Sequence, residues 1–88
     1  MKVLAICRLD ANTDPKAMSL QIAAEAEALQ ECRARGALVE AYSPGGPGAV
    51  LMLEAQGVSD AEALVATLPL HQAGLIQSEV TGLYPLVY

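Results

Sequence analysis

Along the chain, stretches with an apolar residue at every second position alternate with stretches that repeat at helical spacing. Lys2 to Leu9 is the first of the former kind: Val3, Ala5, Cys7 and Leu9 point one way, Leu4 and Ile6 the other. A strand apolar on both sides belongs inside a sheet with two faces to fill. Asp14-Pro15 then marks a helix start, with Asp as N-cap and Pro in the first helical position, where its missing N–H leaves no bond unmade. Met18, Ile22, Leu29 and Cys32 supply an apolar stripe, and the Ala-, Gln- and Glu-rich filling favours helix by propensity. The spacing predicts a helix to about Arg35, stopped by Gly36.

Ala37 to Tyr42 and Ala49 to Ala55 read as two further strands. Between them, Ser43-Pro44-Gly45-Gly46-Pro47-Gly48 is too rich in breakers for anything but a turn, so a hairpin with a long loop is expected. Ser59-Asp60-Ala61-Glu62 has the form of a capping box. Ala61, Leu64, Val65 and Leu68 form the buried stripe of a second helix, which Pro69 is expected to end. After a loop from His71 to Gly74, Leu75 to Val87 is expected as a long last strand, bent at Gly82 or Pro85. The order β-α-β-β-α-β is the split βαβ arrangement of the ferredoxin-like α+β fold, a four-stranded antiparallel sheet with two helices on one face. No repeat, linker or low-complexity run interrupts it, so residues 1–88 read as one domain.

Composition adds a partner. Hydrophobic residues make up 53% of the 88 residues and charged residues only 17%, which excludes a disordered chain. So small a body buries a limited fraction of its surface, and this apolar content calls for a further covered face. The second sheet face, with Val50, Met52 and Leu83, is the candidate, and a second copy of the chain is its simplest cover.

Charge removes other classes. The net charge is −5, and Lys2, Arg8, Lys16, Arg33 and Arg35 are scattered, so nucleic acid is not an expected partner. The first apolar run, stopped by Arg8 and Asp10, is too short for a signal peptide, and none approaches membrane-spanning length. A cytoplasmic protein without membrane contact is expected. Cys7 and Cys32 have neither CxxC nor metal-ligand spacing and read as buried thiols. One His and no patterned carboxylates make a metal site unexpected. The Gly45-Gly46 and Gly48 cluster lacks the Lys and the strand-to-helix setting of a phosphate loop.

Among polar residues Glu25 is the most informative. At about 100° per residue it falls inside the apolar stripe of the first helix, while Glu27 points away. A carboxylate in apolar surroundings has its pKa raised by desolvation, toward the range useful for proton transfer near neutral pH. The same carboxylate could instead reach past the stripe to water or pair with Arg8. His71 is a candidate proton shuttle, although one His in a loop near Pro69 is also an ordinary surface residue. Tyr42, Glu40, Glu54, Glu79 and Arg8 alternate onto strand faces that are candidates to line a cavity. There Arg8 would hold an anionic ligand by a forked pair or neutralise a buried Glu.

The tail carries a family likeness. Leu68-Pro69-Leu70, a short loop, then Glu79-Val80-Thr81-Gly82-Leu83 resembles the C-terminal end of the muconolactone isomerases. The opening strand and the Glu-rich Asp-Pro helix that ends at Gly36 are similar as well. The resemblance spans nearly the whole chain, and its one sharp motif is the C-terminal one. It implies a dimeric α/β barrel in which ferredoxin-like protomers pair their sheets face to face, with a small-molecule pocket between sheet and helices. It also implies homodimers, in some members rings of dimers, and movement of a proton across an unsaturated lactone without any cofactor. The family's proposed base, a Glu on this helix, aligns with Glu25 across a one-residue gap.

Two departures change the substrate expectation. His71-Gln72-Ala73-Gly74 stands where the family has an aromatic-Pro-aromatic stretch, and Leu38-Val39-Glu40-Ala41-Tyr42 stands where it carries Trp, His and Arg. The expected activity is therefore a cofactor-independent isomerisation or related proton transfer on a small unsaturated lactone or cyclic acid, not muconolactone itself. Glu25 and His71 are the catalytic candidates, and Tyr42, Arg8 and Glu54 the substrate-binding ones. A non-catalytic small-molecule binder or structural dimer is the rival expectation.

Overall fold

A computed structural model describes all 88 residues. Its elements are β1 (Lys2–Leu9), α1 (Pro15–Ala34), β2 (Leu38–Tyr42), β3 (Ala49–Glu54), α2 (Val58–Ala66), α3 (Pro69–Gln72) and β4 (Ile76–Gly82). The strands form one antiparallel sheet in the order β2-β3-β1-β4, with the helices packed on one face: the ferredoxin-like arrangement. α1 starts as its sequence dictates, with Asp14 Oδ1 accepting the Lys16 N–H at 3.0 Å. It ends where Gly36, at φ 80°, turns the chain back so that the Ala37 N–H reaches the Cys32 carbonyl at 2.9 Å.

Four local expectations are corrected. The second helix begins at Val58 with Gly57 as N-cap, not at a Ser59–Glu62 capping box. Asp60 instead accepts the Gln56 N–H at 3.0 Å, so an acidic side chain in the first turn ties down the incoming loop. Pro69 does not terminate that helix, which ends at Ala66; it opens α3, a third, short helix that takes in His71 where a loop was expected. β4 stops at Gly82, whose pairing with Val3 is the last of the β1–β4 ladder, so Leu83 to Val87 lie outside the sheet. Ile22 is half exposed: at the edge of the stripe, about 60° around the helix from Glu25, it misses the sheet. The inward line is Met18, Gln21, Glu25, Ala28, Leu29 and Cys32.

Strand register divides the side chains cleanly. Val3, Ala5 and Cys7 of β1 lie across from Leu53, Leu51 and Ala49 of β3 and face the helices. Together with Cys32, Leu38, Ala61, Val65, Leu68, Leu70 and Ile76, these residues supply the apolar core. Lys2, Leu4, Ile6 and Arg8 face the other way, beside Glu54, Met52 and Val50 of β3 and Thr81, Glu79 and Gln77 of β4. A bulge at Val39 adjusts β2. Leu38 pairs with Leu53 and Glu40 with Met52, so Leu38 reaches the core while Glu40 and Tyr42 turn to the open face. Strict alternation would have put all three on one side.

Candidate functional site

Between sheet and helices the core is not filled. A cavity of about 180 Å³ is walled by Cys7, Ala49, Leu51 and Ile76 from the sheet, by Met18, Glu25 and Leu29 from α1, and by Leu70 from α3. Glu25 is the only charged residue in that wall. Its Oε1 accepts the Leu70 N–H at 3.0 Å, so the carboxylate holds the start of α3 in place. A donor on one oxygen fixes the plane of the carboxylate and leaves its other oxygen as the acceptor for a proton or a ligand hydroxyl. Burial, and secondly the negative charge of Glu25, push the Cys7 thiol above its ordinary pKa, so Cys7 stays a neutral thiol at the cavity wall.

The cavity adjoins a larger cleft of about 700 Å³, with Cys7, Leu9 and Met18 forming the boundary between the two. Arg8, Asp10 and Thr13 at the end of β1 line one side of this cleft, and Pro44, Gly46 and Pro47 of the β2–β3 turn line the other. Gly48 belongs to the cavity wall and has φ 122°. A Cβ there would collide with the carbonyl oxygen of Cys7, so only glycine lets β3 begin this close to β1.

The structure brings few of the expected site residues together. Glu25 is in the cavity; Arg8 is at the outer cleft; His71, half-buried on α3, lines neither. Tyr42 and Glu54 occupy the open face, with the sheet between them and the cavity. Tyr42 donates to Glu40, and that hydrogen bond pushes its phenol above the ordinary pKa. Glu54 is 3.5 Å from the N-terminal amine. Arg8 neutralises no buried Glu: it meets Glu79 at 3.2 Å, with both side chains 64% exposed. No group of three His, Cys, Asp or Glu residues gathers closely enough to hold a metal ion, and no helix is long and apolar enough to cross a membrane.

Sequence reasoning passed over the Leu70 amide and Gly48. A backbone N–H has no side-chain signature, and Gly48 stood in a run of turn glycines with nothing to single it out.

No protein-family model matches the chain, and the comparison with curated proteins found no match. Solved structures do match. The crystal structure of muconolactone isomerase superposes with a TM-score of 0.79 at 20% identity, over 98% of this chain and 91% of that one. The chain has the fold of muconolactone isomerase. A second match is the 5-chloro-2-hydroxyhydroquinone dehydrochlorinase of Burkholderia phenoliruptrix, solved in complex with 2,5-dihydroxybenzoquinone. Its TM-score is 0.68 at 21% identity, over 96% of this chain and 94% of that one. At such identities the likeness is one of fold, and the chemistry has to be argued from the cavity.

Proposed function

We propose that the chain is a small-molecule enzyme that moves a proton on an unsaturated ring, with Glu25 as the base, and that it needs no cofactor. The observation that carries this reading is a lone carboxylate, oriented by the Leu70 amide, in an otherwise apolar cavity the size of one ring. The free oxygen of Glu25 would take a proton from the carbon next to the ring carbonyl. The electron pair left behind delocalises onto the carbonyl oxygen on one side and through the neighbouring carbon–carbon double bond on the other, and Glu25 returns the proton at the far carbon of that double bond. The double bond shifts, no atom is gained or lost, and the carboxylate is regenerated. The two structures named above are of enzymes of small molecules, one an isomerase and one a dehydrochlorinase, which supports the reading by analogy.

The working unit we propose is a homodimer of one-domain chains joined through the open sheet face. Leu4, Ile6, Val50 and Met52 are half-buried there in the isolated chain. The tail from Leu83 to Tyr88 adds more uncovered apolar surface, with Tyr84, Leu86 and Val87 between 79 and 94% exposed.

One observation favours a second reading, a small-molecule binder without turnover. No side chain besides Glu25 in the cavity wall offers a donor to an enolate oxygen except the Cys7 thiol, a weak one. A screen of small unsaturated lactones and cyclic acids in deuterated water separates the two readings. Deuterium uptake into a ring carbon with a shifted double bond, lost in Glu25→Gln, supports the enzyme. Binding with no exchange supports the binder.

A further inference from the structure

The cavity at Glu25 has a charge balance that restricts what can enter it. We propose that it selects uncharged rings, such as a neutral lactone, a cyclic enone or a phenol, and rejects rings that carry a carboxylate. This narrows the substrate class of the reading above and rests on the same cavity.

Size sets the first limit. An apolar cavity of about 150 Å³ is enough to take up benzene, so 180 Å³ holds one six-membered ring with small substituents. Charge sets the second. Of the five Lys and Arg residues none lines the cavity. Lys2 and Arg8 lie on the open face of the sheet, and Arg8 is already matched by Glu79. Arg35 donates to the Cys32 sulfur, and Lys16 and Arg33 stand exposed on α1. The N-terminal amine donates to the Ala55 carbonyl at the opposite end of β1.

An arriving carboxylate would therefore cross a cleft whose charged residues, Arg8 and Asp10, have opposite signs. It would then be desolvated beside the Glu25 carboxylate with no cation to receive it. An unpaired charge next to a like charge in apolar surroundings stays out or picks up a proton. A neutral ring bearing a hydroxyl or an acidic C–H gives up little hydration and presents a donor to the free oxygen of Glu25.

Phenol and benzoate each present one six-membered ring, and at pH 7 one is neutral and the other anionic. Benzamide, neutral and of benzoate's size, is the size control and should bind nearer to phenol than to benzoate. Amide NMR titration of the full chain should show phenol shifting Cys7, Leu29 and Leu51, with a Kd at least about tenfold below that of benzoate. Glu25→Gln, whose amide oxygen can still accept the Leu70 N–H, should tighten benzoate and narrow the gap. Met18→Lys, which sets a cation at the boundary of cleft and cavity, should tighten it further. Benzoate bound as well as phenol by the native chain overturns the proposal, and so does phenol that leaves the Leu51 amide unmoved at millimolar concentration. Neutral-ring selectivity without any turnover would leave this inference standing and remove the catalytic reading. Turnover of a ring carboxylate would do the reverse.

Discussion

The two faces of the sheet are built from the same strands and do opposite things. On the helix side the residues from β1 and β3 pack almost completely, with Val3 and Ala5 at 0% and Leu51 at 1% exposure. The lone charge in the cavity wall on that side is Glu25, held by a backbone amide. On the other side, alternating positions of β1 and β3 carry half-covered aliphatic residues, ringed by Lys2, Arg8, Glu40, Glu54 and Glu79. The charges expected to make a site are thus concentrated away from the cavity between sheet and helices, and that cavity has one charge. Polar residues on a strand surface report where water or a partner lies. An acidic residue at an inward helix position, with a defined donor, reports where the interior has been left open.

Substitutions placed in pairs, one on each face, test that contrast. The largest effect is expected from the two carboxylates. Glu25→Gln should lower turnover of any substrate found by about 10²–10⁴-fold while the fold persists, and Glu79→Gln should leave kcat unchanged. Equal losses in steady-state kinetics would erase the distinction. Next, Leu53→Ala opens a void in the filled part of the core, away from the cavity, and should cost about 2–5 kcal/mol in urea unfolding. Ile6→Glu, on the open face, should leave the protomer folded by circular dichroism but convert dimer to monomer in sedimentation velocity. A native chain that sediments as a monomer would remove the partner from the picture altogether.

Two smaller effects sharpen the comparison. With its pKa raised in the folded state, Cys7 should react with iodoacetamide at pH 8 at least about tenfold more slowly than in the urea-unfolded chain. The unfolded chain loses this proton first as pH rises. The stability linked to Cys7 is therefore intact below the ordinary thiol value of about 8.5 and is lost as pH climbs through the higher folded-state value. Glu25→Gln removes the second cause of the shift and should move the labelling profile part of the way back. The smallest change belongs to Arg8→Ala and Glu79→Ala, singly or together. Their ion pair is exposed at both ends, so about 0.2–1 kcal/mol is the expected loss, falling further in high salt.

Much of the frame is legible without coordinates, because it rests on short-range rules. The alternation in β1, the Asp14-Pro15 start, the Gly36 stop and the turn from Ser43 to Gly48 each follow from backbone preferences of adjacent residues. Their order narrows the fold to a split βαβ sheet, and Glu25 stands out as a charge on an apolar stripe. The site was less legible. Period-two reasoning cannot locate the bulge at Val39, which depends on pairing with β3 and sends Glu40 and Tyr42 to the open face. Nor could the sequence choose among the partners of Arg8, since Glu79 is 71 residues away along the chain and adjacent only through the β1–β4 register.

By itself, then, the sequence determined the elements, their order and the odd carboxylate, all properties of neighbouring residues or of one helix turn. Only the tertiary structure decided that this carboxylate would meet the amide of Leu70, 45 residues on, and face an unfilled cavity. The reason is physical: a hydrogen bond to a backbone group and a gap between side chains both arise from how separate elements come to lie against each other, and no local pattern encodes either.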